Sequence, residues 1–169
     1  MIYFSGFSLQ NEQSIFSSYS VDNDYTVMGF SYGAQRAFEY IYNSKRRIDR
    51  LILISPATFE LSKQSFIRTQ LRYFQSNRDE YIKGFLSNVT YPSDFDLSPY
   101  LGIGTKDELE ELLSYRWDRD RLQALVDRGV TIEVFVGSCD KIIDYQEAVE
   151  LFSPYATIYQ IKGVGHILI

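Results

Sequence analysis

A serine, an aspartate and a histidine stand in this chain where acyl-transfer chemistry would need them. Ser31 lies in Gly29-Phe30-Ser31-Tyr32-Gly33, after the β-branched and aromatic run Tyr25-Thr26-Val27-Met28 and before helical spacing at Ala34, Ala37, Phe38 and Ile41. A strand entering a helix through Gly-x-Ser-x-Gly turns so sharply that the serine hydroxyl stands clear of the sheet. Glycines on both sides let the two backbones approach without side-chain clashes. A serine hydroxyl is a poor nucleophile near neutrality and needs a base within hydrogen-bond reach. The chain has one histidine, His166, so an imidazole base must be that residue. The base in turn needs a carboxylate to fix its tautomer and stabilise the imidazolium. Asp140 follows the penultimate predicted strand, as His166 follows the last. Asp144, four residues on, reads better as a helix cap, but spacing alone leaves it open as the acid.

Each of these residues has a plainer use: a serine N-cap, a surface histidine, an aspartate in a turn. Their joint arrangement, each just after a strand, is what points to a triad. Cys139 stands beside Asp140, but no second histidine is present to serve it as a nucleophile. Acyl transfer also needs donors for the developing oxyanion, each worth about 10²–10³ in rate. The backbone N–H of Tyr32, at the start of the helix, is one. The second is assigned to the N–H of Phe7, in the loop Ser5-Gly6-Phe7 after the first strand.

The elements that must position these groups follow from pattern. Ile2-Tyr3-Phe4 is a minimal strand, and Asn11 can cap a short helix with apolar positions Ile15, Phe16 and Tyr19. The helix after Ser31 is expected to end in Lys45, Arg46 and Arg47, cations favourable to its C-terminal dipole. Leu51-Ile52-Leu53-Ile54 is a continuous apolar run, as in a parallel strand buried on both faces. No strand appears from about Ala57 to Arg128. One helical stripe carries Phe66, Ile67, Leu71 and Phe74, and a second carries Tyr81, Ile82, Phe85, Leu86 and Val89, with a break at Ser76-Asn77-Arg78. Thr105 and Glu108 form a capping box for a helix running through Leu109, Leu112, Leu113 and Trp117. Strands over Val130–Val136 and Ala156–Ile161 flank a helix from Asp144 to Phe152. The pattern is an α/β fold in a single domain over residues 1–169: a mostly parallel sheet of about five strands with a helical cap at about 57–129. Ligands of such sheets bind at the carboxyl ends of the strands, the edge where Ser31, Asp140 and His166 would meet.

Composition narrows the function classes. The 169 residues are 45% hydrophobic and 23% charged, and the net charge of −5 argues against nucleic-acid binding, which favours a basic excess. No apolar run approaches the roughly 20 residues of a membrane span. Met1-Ile2-Tyr3-Phe4-Ser5 lacks the basic leader and apolar stretch of a signal peptide. The single cysteine fits a reducing compartment, so a cytoplasmic protein is expected.

The order Ser31, Asp140, His166 is that of α/β hydrolases. The chain resembles this superfamily over its whole length, and most closely the short pimeloyl-[acyl-carrier protein] methyl ester esterases of biotin synthesis. The residues that carry the resemblance are Phe4-Ser5-Gly6-Phe7 with Asn11-Glu12, Gly29-Phe30-Ser31-Tyr32-Gly33, Leu53-Ile54-Ser55-Pro56, Glu133-Val134-Phe135-Val136-Gly137 with Asp140, and His166. It implies that Ser31 attacks the methyl ester of a carrier-bound pimeloyl chain, that methanol leaves, and that no cofactor or metal is required. The chain departs from the general hydrolase pattern in having Ser5-Gly6 where His-Gly is usual. It also lacks strands before Met1, a strand–helix unit before Ser31 and a helix after His166. With five strands in simple order, right-handed crossovers would put every connecting helix on one face. The other face would then need the insertion or a partner subunit, which raises the prospect of a homodimer.

Between Leu61 and Leu86, Lys63, Arg68, Arg72, Arg78 and Lys83 face only Asp79 and Glu80. Arg68 and Arg72 are four apart and share a helical face. A charge run is ordinarily a solvated face. Under the resemblance, Arg68, Arg72, Arg78 and Lys83 become candidates for docking an acidic acyl-carrier protein, steering encounter more than adding affinity. Two other functions remain open: an esterase or thioesterase for other small acyl substrates, and a non-catalytic hydrolase-like binding module.

Overall fold

The computed structural model describes residues 1–169. Five strands form one sheet: β1 (Ile2–Phe4), β2 (Thr26–Phe30), β3 (Arg50–Ile54), β4 (Thr131–Gly137) and β5 (Thr157–Ile161). Their spatial order is their chain order, and every neighbouring pair is parallel. Six α-helices accompany them: α1 (Tyr32–Asn43), α2 (Gln64–Ser76), α3 (Arg78–Thr90), α4 (Lys106–Ser114), α5 (Arg119–Asp127) and α6 (Tyr145–Phe152). No helix is long and apolar enough to cross a membrane.

The period of two along each strand sorts the core into two layers. Val27, Leu51, Leu53, Ile132, Val134 and Val136 face α1, α5 and α6, which bury Ala37, Phe38, Leu122, Leu125, Leu151 and Phe152 against them. The helical crossovers after β2, β3 and β4 thus share one face, as right-handed crossovers require, whereas the connection from β1 to β2 packs Phe16 on the other. Met28, Phe30, Ile52 and Ile54 point the other way. Burying each such side chain stabilises the fold by about 1.5–3 kcal/mol.

The second face is not bare. Phe16, Leu9, Val89, Leu97, Ile167 and Leu168 pack on it, so the chain's own loops, the end of the insertion and the C-terminal residues cover the central strands. The reason for expecting a partner subunit there disappears. The insertion also divides. Helices α2, α3 and α4 form the cap, whereas α5 packs on the sheet as the crossover helix into β4.

Three local expectations differ from the structure. Asn11 makes no capping bond and has φ 59°, and residues 12–19 form 3₁₀ turns kinked at Phe16. Helix α1 ends at Asn43 because Ser44 is already extended. Lys45, Arg46 and Arg47 therefore lie beyond it, and Arg47 pairs with Asp49 at 2.9 Å. Helix α4 ends at Ser114, short of Trp117. The indole Nε1–H donates to Ala57 O at 2.9 Å, which anchors the chain between cap and sheet. The capping box of Thr105 and Glu108 forms as expected.

Candidate active site

The turn between β2 and α1 is built by close backbone approach. A Cβ on Gly29 would lie 2.2 Å from Gly33 O, and one on Gly33 would lie 2.0 Å from Phe4 O. Only glycine fits at either position. Between them Ser31 adopts φ 55°, ψ −113°, a conformation that costs a non-glycine residue about 1–3 kcal/mol. Its N–H donates to Ile54 O at 2.9 Å, which ties the strained residue to β3.

Ser31, His166 and Asp140 form one continuous hydrogen-bond chain. His166 Nε2 lies 2.8 Å from Ser31 Oγ, and His166 Nδ1 lies 2.6 Å from Asp140 Oδ2. Asp140 Oδ1 accepts the N–H groups of Ile142 at 2.7 Å and Ile143 at 3.1 Å. A carboxylate oxygen facing Nδ1 is an acceptor, so Nδ1 carries the proton and Nε2 is left to accept from the serine hydroxyl. Asp144 takes no part. It caps α6, accepting from Gln146 N–H at 2.9 Å.

The histidine is held by more than its ring nitrogens. Ser55 Oγ donates to His166 O at 2.7 Å, and the Phe30 ring packs against the imidazole at 5.0 Å. Ser55 is fully buried with φ 40°. In the sequence it stands only within the resemblance, and nothing in its spacing marks a contact 111 residues away.

Tyr32 follows Ser31 directly, and Phe7 packs in the same apolar cluster as the Tyr32 side chain. Tyr32 is the first residue of α1, where a helix offers its N–H no partner. The N–H of Phe7 donates to no acceptor in the chain. Their side chains join Ile67, Leu71, Phe74 and the leucines of α4 in a third apolar cluster that seats the cap. Tyr32 also donates its hydroxyl to Glu111 on α4. Burial first, then that bond and the charge of Glu111, push the phenol well above its ordinary pKa, so it remains a donor.

Ser31 is 2% exposed and His166 fully buried. A cavity of about 640 Å³ opens among the cap helices, bounded by Phe59, Phe85, Leu109 and Leu112, with Gln70, Glu80, Asn88 and Lys141 among its polar groups. Neither Ser31 nor His166 lines it. Phe85 lines it and packs edge-on against Phe7 at 5.7 Å. Arg68, Arg72, Arg78 and Lys83 are exposed on the outside of α2 and α3. None forms an ion pair, and none lines the cavity. No group of three or more His, Cys, Asp or Glu side chains converges as metal ligands would.

Neither a family model nor a curated protein matches the chain significantly. Solved structures do. An esterase from Exiguobacterium antarcticum superposes with TM-score 0.66 at 17% identity, over 83% of this chain and 59% of its own. The chain has the α/β-hydrolase fold. Within that fold it is small, spanning 53–59% of the length of that esterase and two similar Bacillus subtilis hydrolases. Two compact α/β hydrolases match it more nearly end to end. BioG from Haemophilus influenzae has TM-score 0.61 at 12% identity, covering 98% of this chain and 87% of its own. MenH from S. aureus has TM-score 0.60 at 14% identity, covering 98% and 85%. The five-stranded parallel sheet places the turn at Ser31 and the loops of Asp140 and His166 at one edge.

Proposed function

We propose that this chain is a serine carboxylesterase. The observation that carries the reading is the unbroken chain Ser31 Oγ, His166 Nε2, His166 Nδ1, Asp140 Oδ2. Ser31 Oγ attacks the ester carbonyl carbon while His166 Nε2 takes its proton. Asp140 stabilises the imidazolium, and the N–H groups of Tyr32 and Phe7 receive the oxyanion. His166 then returns the proton to the departing alkoxide, and the alcohol leaves. Water, deprotonated by His166, attacks the acyl-serine and releases the acid and the free hydroxyl.

The substrate we propose is the methyl ester of pimeloyl-[acyl-carrier protein], with methanol as the alcohol. The resemblance in Phe4-Ser5-Gly6-Phe7, Gly29–Gly33 and the segments around Asp140 and His166 supports it. So does the near end-to-end likeness in fold to BioG, a pimeloyl-carrier methyl ester esterase. The cavity, with nine hydrophobic residues among its sixteen lining ones, suits an acyl chain. The unpaired cations on α2 and α3 suit an acidic carrier protein in the reducing compartment that a lone Cys139 tolerates.

The protein is expected to rescue a biotin auxotroph lacking its pimeloyl methyl ester esterase, and the Ser31→Ala variant is not. Soluble wild-type protein that fails to rescue would count against the biotin assignment while leaving the esterase chemistry intact. Reversing Arg68 and Arg72 to Glu is expected to lower kcat/KM on the carrier-bound ester at least ~10-fold, mainly through encounter. A small free ester should be hydrolysed within about twofold of the wild-type rate under the same principle. Equal losses on both substrates would defeat the docking role.

A further inference from the structure

Glu12 is a fully buried carboxylate to which the hydrolytic mechanism assigns nothing. No cation pairs with it, and its Oε2 has no hydrogen-bond partner. Burying an unpaired carboxylate weakens a fold, so stability alone does not account for it. Both donors it satisfies converge on Oε1. Tyr3 on β1 donates its hydroxyl at 2.9 Å, and the backbone N–H of Gly6 donates at 2.8 Å.

Gly6 immediately precedes Phe7, whose N–H is the second oxyanion donor of the proposed reaction. A peptide unit is planar and trans, so its C=O and N–H point in opposite directions. The Gly6–Phe7 unit has its carbonyl taken by Leu9 N–H at 3.2 Å, which turns the Phe7 N–H to the opposite side. What then fixes the unit is the Gly6 backbone, and glycine offers little resistance of its own. The Glu12 bond supplies that resistance at the Gly6 nitrogen. Farther along, the loop is clamped by Gly102 N–H on Ser8 O at 2.8 Å and Gln10 N–H on Tyr100 O at 2.8 Å. Gly6 lies outside that clamp, and its N–H is held by Glu12 alone. Burial foremost, then the charge and hydrogen bond of Glu12, hold the Tyr3 phenol far above its ordinary pKa, so Tyr3 stays a donor and keeps Oε1 aimed at Gly6.

We propose that Glu12 is a positioning residue that aims the Phe7 N–H at the oxyanion by anchoring the Gly6 nitrogen. The inference rests on the serine-esterase reading and names a device that reading lacks. Glu12→Leu keeps the bulk but removes the acceptor. It is expected to lower kcat on a p-nitrophenyl ester roughly 10- to 100-fold per titrated Ser31, less than the ~10²–10³ of deleting a donor. KM should change less than about twofold, because a misplaced donor is missed chiefly in the transition state. Glu12→Gln, which retains an oxygen at the same place, should keep kcat within about threefold on the same ground. A role confined to stability would shift Tm and leave kcat per titrated site unchanged.

Amide hydrogen exchange of the wild-type protein supplies a test independent of both variants and of turnover. The Gly6 N–H should be as protected as amides of β2. A Glu12→Leu enzyme within twofold of wild-type kcat, equal losses in the Leu and Gln variants, or a freely exchanging Gly6 amide would each overturn the proposal. A wild-type protein that protects Gly6 yet hydrolyses no ester would instead defeat the esterase reading, and the role of Glu12 in catalysis with it.

Discussion

Ser31→Ala is expected to lower kcat for ester hydrolysis by ~10⁴–10⁶-fold, the range seen when the nucleophile of a serine triad is removed. The physical reason is that no other group can form the acyl-enzyme. The one histidine, His166, directs Nε2 at Ser31 Oγ, which leaves Cys139 no imidazole to serve it. Substrate binding should be little changed, because the hydroxyl contributes to bond making rather than to the cavity walls. The same position carries a stability signature. Ser31 holds φ 55°, which glycine adopts without strain. Ser31→Gly should therefore be as inactive as the alanine variant but melt at a higher temperature, by relief of about 1–3 kcal/mol of backbone strain. Steady-state kinetics and thermal melts of the two variants check both statements.

Asp140→Asn is expected to cost about 10⁴-fold in kcat without unfolding the protein. An asparagine can keep its oxygen on the N–H groups of Ile142 and Ile143, which hold Asp140 Oδ1 in the wild type. Its amide NH₂ would then point at His166 Nδ1. A donor facing Nδ1 makes that nitrogen the acceptor and moves the proton to Nε2. The imidazole could then no longer take the proton of Ser31. Asp144→Ala is the matched control. It removes the cap of α6, costing about 1 kcal/mol and so roughly 2–4 °C in Tm. Asp144 bonds Gln146 N–H and no member of the hydrogen-bond chain, so kcat should stay within about twofold. If Asp144→Ala were the more damaging to kcat, the assignment of the acid would be reversed.

What could be read in advance follows the physics of each feature. The turn at Ser31 was legible because it imposes glycine at two fixed positions, and those positions follow an apolar strand. The triad was legible because parallel strands put the loops after β2, β4 and β5 on one edge, and only one histidine was available to occupy it. The covering of the second sheet face was not, because Phe16, Val89, Leu97 and Ile167 come from four separate stretches with no common period. Lys45, Arg46 and Arg47 misled because cations favour a helix end that, in this chain, has already passed at Asn43. Asn11 misled in the same way, since a capping residue type says nothing of its own φ. Ser55 and Glu12 were named only as part of a resemblance. Their contacts, to His166 O and Gly6 N–H, are made through backbone atoms of partners that leave no mark on sequence.

The claim that carries the rest is that Ser31 is an activated nucleophile. Treating the folded wild-type protein with a fluorophosphonate and locating the adduct by mass spectrometry tests it most directly. The account predicts one phosphonyl group per chain, on Ser31, and none on the Ser31→Ala variant. A folded protein that leaves Ser31 unmodified would contradict it.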